Sequence, residues 1–154
     1  MSARAAATER GHGDMKLSKE FDVSAARDRA CEVLAEDTTL TSLFPDTETE
    51  IVSRSGKRRT TRSQYTLLGR EGEATFHFDA REDGSIEFQK VCDGNVWKEL
   101  RGSVTLRERG PKLRIRIDME GRTKGFVPEF TIKGPLQKQL DDMARALRRR
   151  MESA

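Results

Sequence analysis

Residues 74–90 read ATFHFDAREDGSIEFQK, and their reading decides the architecture. Apolar and polar residues alternate on both sides of Glu82-Asp83-Gly84, the period of a strand with one buried face. A three-residue hairpin loop at those positions, with Gly84 in the left-handed conformation, sets Phe78 opposite Phe88 and Ala80 opposite Ile86. Phe76, Phe78, Ile86 and Phe88 then share one face, while Glu73, His77, Asp79 and Glu87 share the other. A slip of one residue would turn every phenylalanine to water, so the register carries information.

Outward from this hairpin the pattern repeats. Turn signals stand at Ser55-Gly56, Gly69 to Gly72, Asp93-Gly94 and Arg109-Gly110, and no helix-length segment intervenes between Thr47 and Met119. Six strands in an antiparallel meander are predicted. A three-residue loop at Asp93-Gly94-Asn95 would set Phe88 opposite Leu100 and Cys92 opposite Val96. A two-residue loop at Arg109-Gly110 would set Leu106 opposite Leu113, Val104 opposite Ile115 and Leu100 opposite Met119. The same logic places Tyr65 beside Phe76 and Leu67 beside Ala74. Glu99, Arg101, Arg114, Arg116 and Asp118 fall on the polar face.

Upstream, Lys16 to Val23 reads as a seventh strand with Leu17, Phe21 and Val23 on one side. Ser24 offers a helix N-cap ahead of Ala26, Ala30, Val33 and Leu34. A second short helix is predicted to hold Leu40, Leu43 and Phe44 before Pro45 stops it. Downstream, Leu136, Leu140, Met143, Leu147 and Met151 form the stripe of a long amphipathic helix with Pro135 in its first turn and Phe126, Val127, Phe130 and Ile132 as an apolar lead-in. That helix is expected to roof the apolar side of the sheet. The fold class is α+β.

The chain has 154 residues, enough for one domain, predicted over 15–151. Residues 1–14, rich in Ala, Gly and charge, are expected to form a disordered leader in which His12 is inert. No run approaches the roughly 20 apolar residues of a membrane helix, and no signal-peptide core stands at the start. Cys31 and Cys92 are far apart and outside any paired motif, which points to a reducing, cytoplasmic setting and to small apolar roles rather than a disulfide or metal site. Net charge is +3, but Lys133 to Arg150 holds six basic residues against two acidic ones. A solvated helix end is one reading. Peripheral contact of Arg145, Arg148, Arg149 and Arg150 with an anionic membrane or RNA is the other. Lys57, Arg58, Arg59 and Arg62 lack interleaved aromatics and read as a solvated hairpin edge, so no specific DNA binding is expected.

The order strand, two short helices, six-strand meander and long C-terminal helix resembles the SRPBCC superfamily, also called START-like or birch-pollen-allergen-like. The stretches that carry the likeness are MKLSKEFDVSAARDRACEVLAED, LFPDTE, DGNVWKELRGSVTL and FVPEFTIKGPLQKQLDDMARALRRR, within about Met15 to Met151. Within the superfamily the chain is most similar to the bacterial polyketide cyclase/dehydrase and coenzyme Q-binding group. One departure is Ala25-Ala26 at the helix opening, where the group carries Pro and an aromatic. The resemblance implies a helix-grip fold with a seven-stranded curved sheet wrapped around the last helix. It also implies a cavity for a lipid, isoprenoid quinone or polyketide-like aromatic, with the protein serving as carrier, sensor or chaperone.

The residues themselves set the expected site. Candidate ligand contacts are Tyr65, Phe76, Phe78, Phe88, Lys90, Leu100, Met119, Phe130, Leu136, Leu140 and Met143, with Gly102 and Ala74 leaving volume for a cavity. Inward polar candidates are Thr49, Ser63, Tyr65, Lys90, Cys92 and Lys98. Neither histidine points inward, and no Asp or Glu of the central meander does, so the usual acid–base inventory is missing. No catalytic residue, metal or cofactor is assigned. The alternative is a polyketide cyclase or dehydratase in which Tyr65 and Lys90 orient or protonate the substrate, because both neighbour Phe76 in the predicted pairing. A snorkelling Lys90 is the bland reading of the same residue. Trp97 falls on the face opposite Leu100 unless a bulge turns it inward.

Overall fold

A computed structural model describes residues 14–67, 70–92, 97–125, 128 and 130–153. The expected leader up to residue 13, the Asp93-Gly94-Asn95 loop, Val96, Phe126 and Val127 lie outside the described residues.

Seven strands form one antiparallel sheet: β1 (Asp14–Val23), β2 (Thr47–Ser55), β3 (Arg58–Leu67), β4 (Arg70–Ala80), β5 (Ile86–Lys90), β6 (Trp97–Arg109) and β7 (Lys112–Thr123). Their spatial order is β1-β7-β6-β5-β4-β3-β2, a meander whose last strand returns beside the first. Two short helices, α1 (Arg27–Ala35) and α2 (Asp37–Thr41), connect β1 to β2, and α3 (Phe130–Glu152) closes the described chain. This is the α+β helix-grip arrangement, a curved sheet with a C-terminal helix.

The deciding hairpin forms as read, with Phe78 opposite Phe88 and Ala80 opposite Ile86, and Gly84 at φ 91°. A side chain at Gly84 would also collide with Cys31 Sγ, which packs onto the turn from α1. Other pairings differ from expectation. Leu106 faces Ile115, Val104 faces Ile117 and Leu100 faces Gly121, because the β6–β7 turn is Gly110-Pro111 rather than Arg109-Gly110. Phe88 faces Gly102 instead of Leu100. Tyr65 faces Gly72, and Phe76 faces Thr61, a shift of four. Each displacement is an even number, so every side chain keeps its face while its neighbours change.

Leu113, Ile115, Ile117, Met119, Val104, Leu100, Phe88 and Phe78 are buried on the inner face. Against them α3 lays Leu136, Leu140, Met143, Leu147 and Met151, all buried, each worth about 1.5–3 kcal/mol of apolar transfer. The helix begins five residues before Pro135, which therefore sits in the second turn. Proline there forfeits one bond to the carbonyl four residues earlier, and Thr131 Oγ1 braces the start by donating to Pro128 O at 2.7 Å. Ser24 does not cap α1: Ala26 occupies the N-cap without a side-chain bond, and the Ser24 amide donates to Glu152 Oε2 at the end of α3. Among the described residues, no helix is long and apolar enough to cross a membrane.

The outer face is polar and cross-linked. Arg114 donates to Asp22 at 2.8 Å, Arg116 pairs with Glu20 at 3.0 Å and Asp118 at 2.9 Å, and Arg58 pairs with Asp79 at 2.7 Å. His77 stays on this face, its Nδ1 2.8 Å from Thr60 Oγ1.

Candidate functional site

The inner face divides into two halves. From β5 through β7 and β1 its side chains are mostly buried, and the backbone of α3 runs close to β1 and α1. Toward β2, β3 and β4 the face opens, and Thr49, Ile51, Tyr65, Ala74, Phe76 and Lys90 are only half-buried. Four phenylalanines bridge the halves. Phe78 and Phe88 are buried with ring centroids 5.9 Å apart, and Phe76 lies 6.1 Å from Phe78 and 6.4 Å from Phe88. Phe44, from the segment after α2, stacks 6.2 Å from Phe76 and is itself half-buried. The cluster thus grades from solid core into reachable aromatic surface.

Lys90 ends β5 opposite Phe76, with its Nζ 5.9 Å from the centre of that ring. Burial pushes its pKa below the ordinary lysine range, and the neighbouring Cys92 opposes this weakly. Beyond the ring, β2 and β3 supply a line of hydroxyls: Thr47 Oγ1 donates to Phe44 O at 2.9 Å, Thr47 and Thr49 meet at 3.1 Å, and Thr49 meets Ser63 at 2.7 Å.

Several expected residues are placed elsewhere. Phe78, Phe88, Leu100, Met119, Leu136, Leu140 and Met143 belong to the continuous buried core. The volume left by Gly102 is filled, since a Cβ there would lie 2.5 Å from the Phe88 ring. Phe130 is 80% exposed at the start of α3. Tyr65 covers Gly72 and borders an open groove with Pro45, Asp46, Gln64 and Glu71. Of the expected pair, then, only Lys90 neighbours Phe76. Tyr65 stands opposite Gly72, four residues and about 13 Å further along β4.

A bulge at Lys98 settles the orientation of Trp97. The register shifts between Trp97 and Glu99, so Trp97 turns inward to 7% exposure and covers Gly121, while Lys98 turns outward. Lys98 is therefore not an inner-face cation, contrary to expectation.

Arg59 corrects the reading of the basic hairpin edge. It faces inward at 9% exposure and donates to Leu34 O and Ala35 O at 3.0 Å each, satisfying carbonyls that end α1. Its Nη1 also approaches Asp37 at 3.3 Å, and Arg54 holds the same carboxylate. These guanidinium bonds, Arg54 first, hold the Asp37 pKa below the usual carboxylate value. At the opposite edge Lys19, also inward, meets Asp141 of α3 at 3.2 Å. Alternation offered a signal for both residues, since Arg59 shares parity with Thr61 and Lys19 with Leu17. At the basic C-terminal end, Arg150 binds Glu36, Thr38 and Thr39. Arg148 lies 3.7 Å from Glu152, Arg145 pairs with Asp142, and Arg149 is exposed.

No protein-family model matches this sequence, and no curated protein matches it. Solved structures do match in shape. A START superfamily protein from Mycobacterium smegmatis is 19% identical, with a TM-score of 0.71 over 92% of this chain and 98% of that one. The Zhui aromatase/cyclase from Streptomyces sp. R1128 is 15% identical, with a TM-score of 0.69 over 90% and 91%. A STAR-related lipid transfer protein from Xanthomonas axonopodis is 16% identical, with a TM-score of 0.69 over 93% and 89%. At such identities the likeness speaks to backbone alone, and what it shows, together with the sheet order and the C-terminal helix, is that this chain has the helix-grip fold of START-like proteins.

Proposed function

We propose that the chain binds a hydrophobic small molecule, of the lipid, isoprenoid quinone or polyketide-like aromatic class, between its sheet and α3, as a carrier, sensor or chaperone. The observation that carries this reading is the half-buried state of Phe76 and Phe44, with Phe76 packed on the buried Phe78 and Phe88 where the inner face opens toward β2, β3 and β4. Aromatic surface left reachable inside a fold is costly unless something apolar covers it. Ligand sites are usually concave and mainly apolar with few polar groups, and the partly reachable rings of Phe76 and Phe44 supply an apolar wall for one. Structural neighbours described as an aromatase/cyclase and a lipid transfer protein support the same class.

The test is binding. Purified protein should raise the fluorescence of 1-N-phenylnaphthylamine in a saturable way, and native mass spectrometry should show one apolar adduct per chain. Phe76→Ser should weaken probe binding by about tenfold or more while the fold persists, since the ring contributes at the accessible end of the cluster. Absence of saturable binding in the wild type would overturn the proposal.

A further inference from the structure

Among the described side chains of the sheet, four cations face inward: Lys19, Arg54, Arg59 and Lys90. Three of them meet a carboxylate, Lys19 with Asp141 and both arginines with Asp37. Among the described residues no carboxylate pairs with Lys90. Its ammonium instead sits over the Phe76 ring, at the border between the buried phenylalanines and the half-open end of the face. A half-buried cation without an anion is expensive, and an aromatic face compensates only in part.

We propose that the site takes an acidic amphiphile, whose carboxylate or similar anion pairs with Lys90 Nζ while its apolar body lies along Phe76 and Phe44. This deepens the hydrophobic-ligand reading and rests on it. The anion completes the charge pair that the fold supplies at its other inward cations. Ligand and lysine each lose water on binding, so their contact is stronger than a surface ion pair. Burial also holds the Lys90 pKa low, a penalty on its charged form that a bound anion would relieve. The hydroxyl line from Thr47 to Ser63 lies on the same inner face and offers further donors to a polar head.

The experiment compares 11-(dansylamino)undecanoic acid with its methyl ester, two probes alike except for the negative charge, on the intact chain. Wild type should bind the acid about tenfold or more tightly than the ester, the size of one charge-assisted hydrogen bond. Lys90→Met should bring the two affinities within about twofold, and Lys90→Arg should retain the preference for the acid. Circular dichroism of each variant confirms that it is folded. Equal affinities in wild type, or a preference that survives in Lys90→Met, overturn the anion-pairing proposal while leaving the apolar-ligand reading intact. Failure of both dansyl probes and of phenylnaphthylamine to bind overturns the two together.

Discussion

Replacing Arg59 by Met tests how the helical segment is fastened to the sheet beside the candidate site. The substitution removes two charge-assisted bonds, one to the buried carbonyl of Leu34 and one to the partly buried carbonyl of Ala35. Both carbonyls stand in the last turn of α1, where the helix itself supplies no amide, so each loses its donor when the guanidinium goes. The buried bond is worth about 2 kcal/mol and the partly buried one about 1 kcal/mol. The accompanying pair to the half-exposed Asp37 adds little, because water screens it. The expected loss is therefore about 3 kcal/mol, or a fall in melting temperature of about 6–12 °C for a chain of this size. Arg54→Met is the control, because Arg54 touches the same Asp37 carboxylate but its side chain is 56% exposed, against 11% for Arg59. It should move the melting temperature by no more than about 2 °C, as loss of a solvent-screened pair does. Urea and thermal unfolding followed by circular dichroism measure both. If Arg59→Met proves no more destabilising than Arg54→Met, the carbonyl-capping argument is wrong.

Three other substitutions probe the packing and the charges. Gly102→Ala should cost about 2–3 kcal/mol in urea melts, because its Cβ would collide with the Asp118 carbonyl oxygen and lie 2.5 Å from the Phe88 ring, and the backbone contact cannot swing aside. Lys90→Met should raise the melting temperature at pH 7. The folded-state pKa of Lys90 lies below 10.5, so the unfolded chain holds the extra proton between those two values and wild-type stability climbs with pH across that window. The advantage of the methionine should accordingly shrink as the pH approaches 10.5, and a constant difference would refute the burial cause. Asp79, whose pKa is lowered chiefly by its bond from Arg58, contributes stability that is present above pH 3.8 and lost as pH falls through its folded value. Asp79→Asn should cost under about 1 kcal/mol at pH 7 and flatten the acid limb of the stability curve below about pH 5, read by thermal melts in low salt.

Local pattern alone was enough for the strand count, the two-faced sheet, the amphipathic last helix and the Phe78–Phe88 hairpin. The reason is that side-chain direction in a strand repeats every two residues, so a periodic run of apolar groups declares its face without help from elsewhere. That same period is blind to even slips. Moving β7 by two residues or β4 by four leaves every phenylalanine inside, and loop length in space chose among these registers. The candidate pair of Tyr65 and Lys90 separated for this reason, since only Lys90 kept Phe76 as its neighbour.

The inward turn of Trp97 belongs to the assembled molecule. One extra residue at Lys98 swaps the two side chains, and the indole gains the space above Gly121 on β7. The roles of the inward cations belong there too. Parity with Thr61 and Leu17 marks the face of Arg59 and Lys19, but their partners appear only when α1 ends above Arg59 with two bare carbonyls and α3 brings Asp141 alongside Lys19. Charge pairing and hydrogen bonding depend on distance through space between elements far apart in the chain, which hydrophobic periodicity does not encode. Lys90 stands out by the same measure: an inward ammonium above an aromatic ring, with Lys19, Arg54 and Arg59 already matched to an acid.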